Sequence, residues 1–329
     1  MIVLSQKDVI ELLSMRDCID VMGNTLAALA RGESLLPLRT VVRLPNDKDF
    51  FAVMPAYVGT PESMGAKVIT VFNDNHGTEL DSHQGAVLLF DAKNGSLSAV
   101  LDATAITAIR TAAVSALATK YLAREKADDL AILGSGVQAR SHLDAIPCVR
   151  PIKRVRIWSR TPKHARALAD EYRSRFAEVT VHDDAESAVR GAAIVCTVTS
   201  SNNPVLRGKW LSPGSHVNAV GVSQPRAREI DTEVVTRASL FVDRRESALK
   251  EPGDILQPLS AGAITPDHIK AEIGEVVAGT KPGRRSDDEI TLFKSLGLAV
   301  EDIAAAQFVY TRAKERKVGT SVNLGGMRR

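Results

Sequence analysis

The chain has 329 residues, 44% of them hydrophobic, 25% charged and 4% aromatic. This is the composition of an ordinary folded protein, neither disordered nor fibrous, and at ~150 residues per domain the length suits two domains. Lys and Arg total 42 against 39 Asp and Glu, a net charge of +3. So small an excess argues against nucleic acid or a charged membrane surface as partner.

In chain order, residues 1 to about 35 read as helical, with Asp8 to Leu13, then Met15 to Ala30, ending at Gly32. Short β-type runs follow at Thr40-Val41-Val42-Arg43-Leu44, Lys67-Val68-Ile69-Thr70-Val71 and Ala86-Val87-Leu88-Leu89-Phe90. Turn signals at Asn75-His76-Gly77 and Lys93-Asn94-Gly95 separate them, which predicts antiparallel strands. Thr104 to Ala123 is Ala-rich, with the spacing of a buried helix.

From there strand and helix alternate. Strands are predicted at Leu130–Leu133, Val155–Trp158, Val179–Val181, Ala193–Val198, Val217–Val220 and Leu240–Val242, and helices from Gln138 and over Pro162–Phe176. Continuous apolar strands in such a series imply a parallel sheet covered on both faces. The fold class expected is therefore α/β, a Rossmann doubly wound domain at 122–300 plus an α+β domain at 1–121. The last helix, Gly297 to Lys314, is expected to pack back so that 301–329 joins the first domain.

The sharpest motif is Gly134-Ser135-Gly136-Val137-Gln138-Ala139, a GxGxxA loop that directly follows a strand and opens a helix. Gly134 suits the tight turn, Gly136 lets backbone approach a pyrophosphate, and Ala139 lets helix and strand pack closely. The N–H groups of Val137 and Gln138 belong to a helix start that favours phosphate. The next strand runs into Ser159-Arg160-Thr161. NAD-selective sites usually carry an acid here to bind the ribose 2′-hydroxyl. Arg160 would instead attract a 2′-phosphate, with Ser159 and Thr161 as donors. NADP(H) is the preferred cofactor on this reading and NAD(H) the alternative. Thr197 and Thr199 stand at a parallel strand end, where such a cofactor passes, and Thr197 is taken as a contact.

Other features are negative. No window carries the ~18 uninterrupted apolar residues of a membrane span, and the start lacks a signal-like core. Cys18, Cys148 and Cys196 form no CxxC pair. The seven histidines show no HExxH and no clustered spacing, so no metal is expected. A cytoplasmic location follows as the expectation. His83 is read as structural, Asp254 and Asp302 as helix or loop partners with facing the cleft as the alternative, and Arg328-Arg329 as a frayed tail.

The chain also resembles the ornithine cyclodeaminase/mu-crystallin family nearly end to end. The carrying segments include Pro37-Leu38-Arg39-Thr40, Val53-Met54-Pro55-Ala56-Tyr57, Ala66-Lys67-Val68 and Ser82-His83-Gln84-Gly85. They continue with Ile109-Arg110-Thr111-Ala112, Asn218-Ala219-Val220-Gly221, Lys250-Glu251-Pro252-Gly253-Asp254 and Phe293-Lys294-Ser295-Leu296-Gly297. The resemblance implies a homodimer whose N-terminal domain carries the substrate residues and the dimer interface. It also implies that Arg39, Lys67 and Arg110 surround a substrate carboxylate. Arg suits that task through charge-assisted paired bonds, and a Lys67 buried beside cations suits proton transfer. Thr111 could touch cofactor phosphate.

Two departures matter. Ser223 stands where cyclodeaminases of the family carry Asp, and Met54 where they carry Glu. Loss of both carboxylates argues against ornithine cyclisation. Together with the Ser-Arg-Thr turn it resembles the mu-crystallin branch, which reduces cyclic ketimines with NADPH. The resemblance thus implies an NAD(P)H-dependent oxidoreductase acting on the C=N bond of a small imino acid. Lys67 would be the proton donor and Ser223 a hydrogen-bond donor to substrate or cofactor. The alternatives are a cyclodeaminase or amino-acid dehydrogenase with bound NAD, and a ligand-binding protein on the same scaffold.

Overall fold

The structure, a computed structural model, describes residues 1–46, 48–75 and 78–326. The turn expected at Asn75-His76-Gly77 lies outside these residues beyond Asn75, and the Arg328-Arg329 tail lies outside them entirely. The chain divides into two compact units, Met1–Arg110 with Gly297–Arg329, and Thr111–Leu296. The division falls inside the helix Ala103–Leu122, earlier than the expected boundary after 121. An unbroken helix carries no linker signal, so composition and periodicity cannot locate such a cut.

The first unit is built on a mixed sheet. In spatial order its strands are Thr320–Ser321, Ile2–Leu4, Leu97–Asp102, His83–Phe90, Ser63–Val71, Phe50–Val58 and Ser34–Leu35, with Thr40–Arg43 also on Phe50–Val58. The run from Thr40 to Asp102 pairs antiparallel throughout, as its turn signals imply. The strand Ile2–Leu4, in a stretch read as helical, pairs parallel with Leu97–Asp102. It is only three residues long, and Ser5 then starts the helix Gln6–Leu12 with a capping box to Asp8.

The strand Ser63–Val71 alternates strictly: Ser63, Gly65, Lys67, Ile69 and Val71 are buried and the residues between them half-buried. Its buried face meets the helix Ala299–Arg316, which also packs on Phe50–Val58 and on the helix Met15–Ala30. The last helix therefore completes the first unit. On the other face, cross-strand rows of apolar side chains stay half-buried, among them Val53, Val68 and Ala86, and Pro55, Ala66 and Leu88.

The second unit is a doubly wound α/β fold. Its eight strands are all parallel, in the order Glu178–Val181, Arg154–Trp158, Asp129–Leu133, Ile194–Thr197, His216–Ala219, Thr291–Lys294, Ser239–Val242 and Ile269–Glu272. Every residue of Asp129–Leu133 is buried, the mark of a central strand covered on both faces. The chain order reverses between Asp129–Leu133 and Ile194–Thr197, and ligands of such sheets bind beyond the strand ends at that reversal. The last two strands in chain order, Ile269–Glu272 and Thr291–Lys294, are not foreseen from the sequence. Among the described residues, no helix is long and apolar enough to cross a membrane.

Candidate active site

Two groups of functional side chains stand out, one in each unit. In the first, Lys67 points from the buried face of its strand and is 3% exposed. Its Nζ lies 2.9 Å from Asp302 Oδ2. Asp302 Oδ1 accepts from Arg110 Nε at 2.9 Å, and Arg110 Nη1 donates to Glu301 Oε2 at 2.9 Å. Both acids sit in the first turn of Ala299–Arg316 and are fully buried. Negative charge is favoured at that end of a helix. Arg39 Nη2 donates to the carbonyl of Gly297 at 2.9 Å. Met54, 5% exposed, pairs with Lys67 across the strands, so an apolar residue is the lysine's cross-strand partner on the buried face.

Burial pushes the Lys67 ammonium down to about 8. Asp302 opposes that fall, while Arg110 and Arg39 add to it. Burial alone would raise the Asp302 carboxyl, but Arg110 and Lys67 outweigh it and hold the group ionised below its ordinary range. The result is a lysine able to give and take a proton near neutral pH.

The structure thus brings together Arg39, Lys67 and Arg110, and adds two acids. Glu301 carries no expectation from the sequence, and Asp302, expected as a helix or loop partner or as a cleft residue, bridges two of the three cations. Two donors of Arg110 are taken by protein carboxylates.

In the second unit the GxGxxA loop has the shape the motif implies. Gly134 has φ +130, and a Cβ there would stand 2.6 Å from the Val198 carbonyl oxygen. Gly136 is the N-cap of Val137–Ala145 with no side-chain cap bond, and a Cβ there would meet nothing within 4 Å. Ala139 is fully buried. Bare backbone in open space at an uncapped helix start fits a pyrophosphate. Ser135 Oγ and Ser159 Oγ are 2.9 Å apart, tying this loop to the end of the next strand. Arg160 and Thr161 are exposed, and Thr161 caps its helix without using its hydroxyl. Arg160 makes no ion pair or hydrogen bond with the described residues, so both side chains can turn to a ligand.

The Thr197 hydroxyl is committed within the protein. It is fully buried and donates to Glu229 Oε2 at 2.9 Å. Glu229 also accepts from Thr199 N at 2.6 Å, Thr199 Oγ1 at 2.7 Å and Gly221 N at 2.6 Å. The threonines serve a buried carboxylate that ties two strand ends together. Asp254 Oδ1 accepts from the backbone N–H of Glu229 and Ile230, and its Oδ2 lies 3.0 Å from Lys294 Nζ. Lys294 donates to the Val222 carbonyl at 2.6 Å, steadying the loop that holds Ser223. Ser223 is half-buried, with no side-chain hydrogen bond to the described residues. Thr111 is 7% exposed, and its carbonyl accepts from Ser115. His83 Nδ1 lies 3.0 Å from Ser82 Oγ. No cluster of possible metal ligands occurs among the described residues.

An all-parallel doubly wound sheet with a phosphate-type loop defines a nucleotide-binding α/β protein, here joined to a unit with a buried lysine–carboxylate array. Residues 1–317 match the ornithine cyclodeaminase/mu-crystallin family, and the chain belongs to it. It is 45% identical over 279 residues to the ketimine reductase mu-crystallin of Mus musculus, covering 85% of each chain. It is 36% identical to the Δ1-pyrroline-2-carboxylate reductase of Bacillus cereus, over 98% of this chain and 99% of that one. Among solved structures, Thermococcus litoralis Δ1-pyrroline-2-carboxylate reductase in complex with NADH and L-proline superposes with a TM-score of 0.95. The identity is 39%, over 98% of this chain and 100% of that one.

Proposed function

We propose that the protein is an NAD(P)H-dependent reductase of cyclic imino acids of the Δ1-pyrroline-2-carboxylate or Δ1-piperideine-2-carboxylate type. The observation that carries this is the buried Lys67, poised near pH 8 by burial and by Asp302, with apolar Met54 beside it. The relatives named for pyrroline-2-carboxylate and ketimine reduction support the same chemistry. A dinucleotide held at the GxGxxA loop supplies, when bound, the hydride for the imine carbon. The protein's own groups do the rest. Lys67 delivers the proton to the ring nitrogen, Arg39 and Arg110 orient the carboxylate, and Ser223 donates a hydrogen bond. With Met54 and Ser223 at the positions noted above, neither offers a carboxylate base for loss of an amino group.

NADP(H) is the preferred cofactor in this proposal, because the exposed Arg160 and the uncommitted Thr161 hydroxyl suit a 2′-phosphate. Gly134, Gly136, Val137, Gln138 and Ala139 would hold the pyrophosphate with Thr111, and Ser159 would join Arg160 and Thr161 at the 2′-phosphate. The unit Met1–Arg110 with Gly297–Arg329 is assigned to substrate binding and dimerisation, and Thr111–Leu296 to the dinucleotide. A homodimer is supported by the apolar outer face of the first sheet and by exposed Leu35, Val41 and Val42 at its edge. A related archaeal alanine dehydrogenase, 32% identical over 99% of each chain, is itself a dimer. The cytoplasm is the proposed location.

The test is a panel of five- and six-membered cyclic imines with NADPH and NADH. One reduced cofactor consumed per imine is expected, and Lys67→Met should lose turnover while keeping its fold. Ammonia release from ornithine without imine reduction would overturn the reading.

A further inference from the structure

We propose that Asp302 is the positioning residue for proton transfer: one carboxylate oxygen aims the Lys67 ammonium while Arg110 anchors the other. This rests on the reading of Lys67 as proton donor. Asp302 is fully buried, and its two oxygens make separate 2.9 Å contacts to Lys67 Nζ and Arg110 Nε. A carboxylate fixed by a guanidinium in this way cannot rotate without breaking a buried ionic bond, which leaves a buried charge unpaired. The Arg110 side is fixed in turn by Glu301 Oε2. The order of rigidity thus runs from Glu301 through Arg110 and Asp302 to the lysine that meets the substrate.

The charged and titratable groups packed around Lys67 make Asp302 its sole direct anionic contact among those described. Helix Ala299–Arg316 contributes Asp302, together with Glu301 bonded to Arg110. Helix Ala103–Leu122 contributes Arg110, and the segment before strand Thr40–Arg43 contributes Arg39. The flanking strands contribute uncharged Met54 and Val87. Nearby in this cluster, burial pushes the Cys18 thiol well up, so it stays neutral. Removing the Asp302 charge would leave a buried lysine facing two cations. Its neutral form would then dominate at lower pH.

The experiment compares kcat/KM against pH for cyclic-imine reduction by the wild type and by Asp302→Asn, with NADPH saturating. The alkaline limb is expected to move to lower pH by about 1–3 pH units. The limb for amine oxidation should move the same way, because base and acid are one group. Titration of the imine itself is common to both enzymes and cancels. The Lys67 ζ-nitrogen in 15N-lysine protein, assigned against Lys67→Met, should show the same shift without turnover. A folded Asp302→Asn enzyme whose limb and ζ-nitrogen titration stay in place overturns the proposal, even if its rate falls uniformly. If Asp302→Asn does not fold, Asp302→Glu keeps the charge but displaces it, and should lower kcat and move the limb by less. An unmoved limb with wild-type kcat in that variant overturns the proposal too. Full activity of Lys67→Met would instead sink the reductase mechanism itself, so the two failures are distinguishable.

Discussion

Gly297 lies directly against the guanidinium of Arg110. A Cβ at Gly297 would stand 2.7 Å from Nη2 and 2.9 Å from Cζ, and nearer still to Nη1. The carbonyl of the same residue accepts from Arg39. One glycine thus seats two of the three cations assigned to the substrate carboxylate. Its φ of +75 adds a second reason for the absent side chain.

Gly297→Ala is therefore expected to displace Arg110 and strain the backbone. The strain alone costs about 1–3 kcal/mol, visible as a lower melting temperature. KM for the imine should rise more than KM for NADPH, since the displaced groups are the ones proposed to hold the substrate carboxylate. Equal rises would mean that Arg110 is remote from the substrate.

Arg160→Ala tests the cofactor choice. A charged hydrogen bond to a phosphate contributes roughly 1.5–3 kcal/mol, so KM for NADPH should rise about tenfold or more. KM for NADH should change little. Equal effects on both cofactors would remove Arg160 from the 2′-phosphate site.

The glycine loop and the parallel strands were legible because local rules create them: a tight turn demands Gly134, and doubly covered strands demand unbroken apolar runs. The Arg110–Asp302 bond, 192 residues apart in sequence, obeys no local rule. Asp302 and Glu301 look like ordinary acids opening a helix, which the dipole would favour on any surface. Glu229 gave no signal either, since its partners Thr197, Thr199 and Gly221 meet it only once the sheet is assembled. The same holds for the Thr197 hydroxyl: position at a strand end does not reveal which way it points.

Two buried histidines predict the acid limit of stability. His142 is fully enclosed, with Nδ1 donating to the Gln138 carbonyl at 2.7 Å and Nε2 2.9 Å from Ser115 Oγ. Burial lowers its pKa to about 4. Burial, then the nearby Arg284, lowers His216 to about 3. Below about pH 6.5 the unfolded chain takes up protons that the folded chain refuses. Stability should thus fall as pH drops from about 6.5 towards 4, with His142 alone contributing roughly 3 kcal/mol once that drop is complete. Melting temperature against pH measures this, and His142→Gln should flatten the slope. An unchanged slope would assign the acid loss to other groups.

Met54→Glu probes the same lysine from the neighbouring strand. Residues 54 and 67 are direct cross-strand partners on the buried face, where side chains lie about 4.5–5.5 Å apart at Cβ. A carboxylate at 54 would give Lys67 a second anion and favour its charged form. The alkaline limb of imine reduction should move up by about one pH unit, opposite to the effect of Asp302→Asn. The new acid is buried, so some loss of melting temperature is expected as well. If the limb stays in place while the variant remains folded, the group titrating in the reaction is not Lys67.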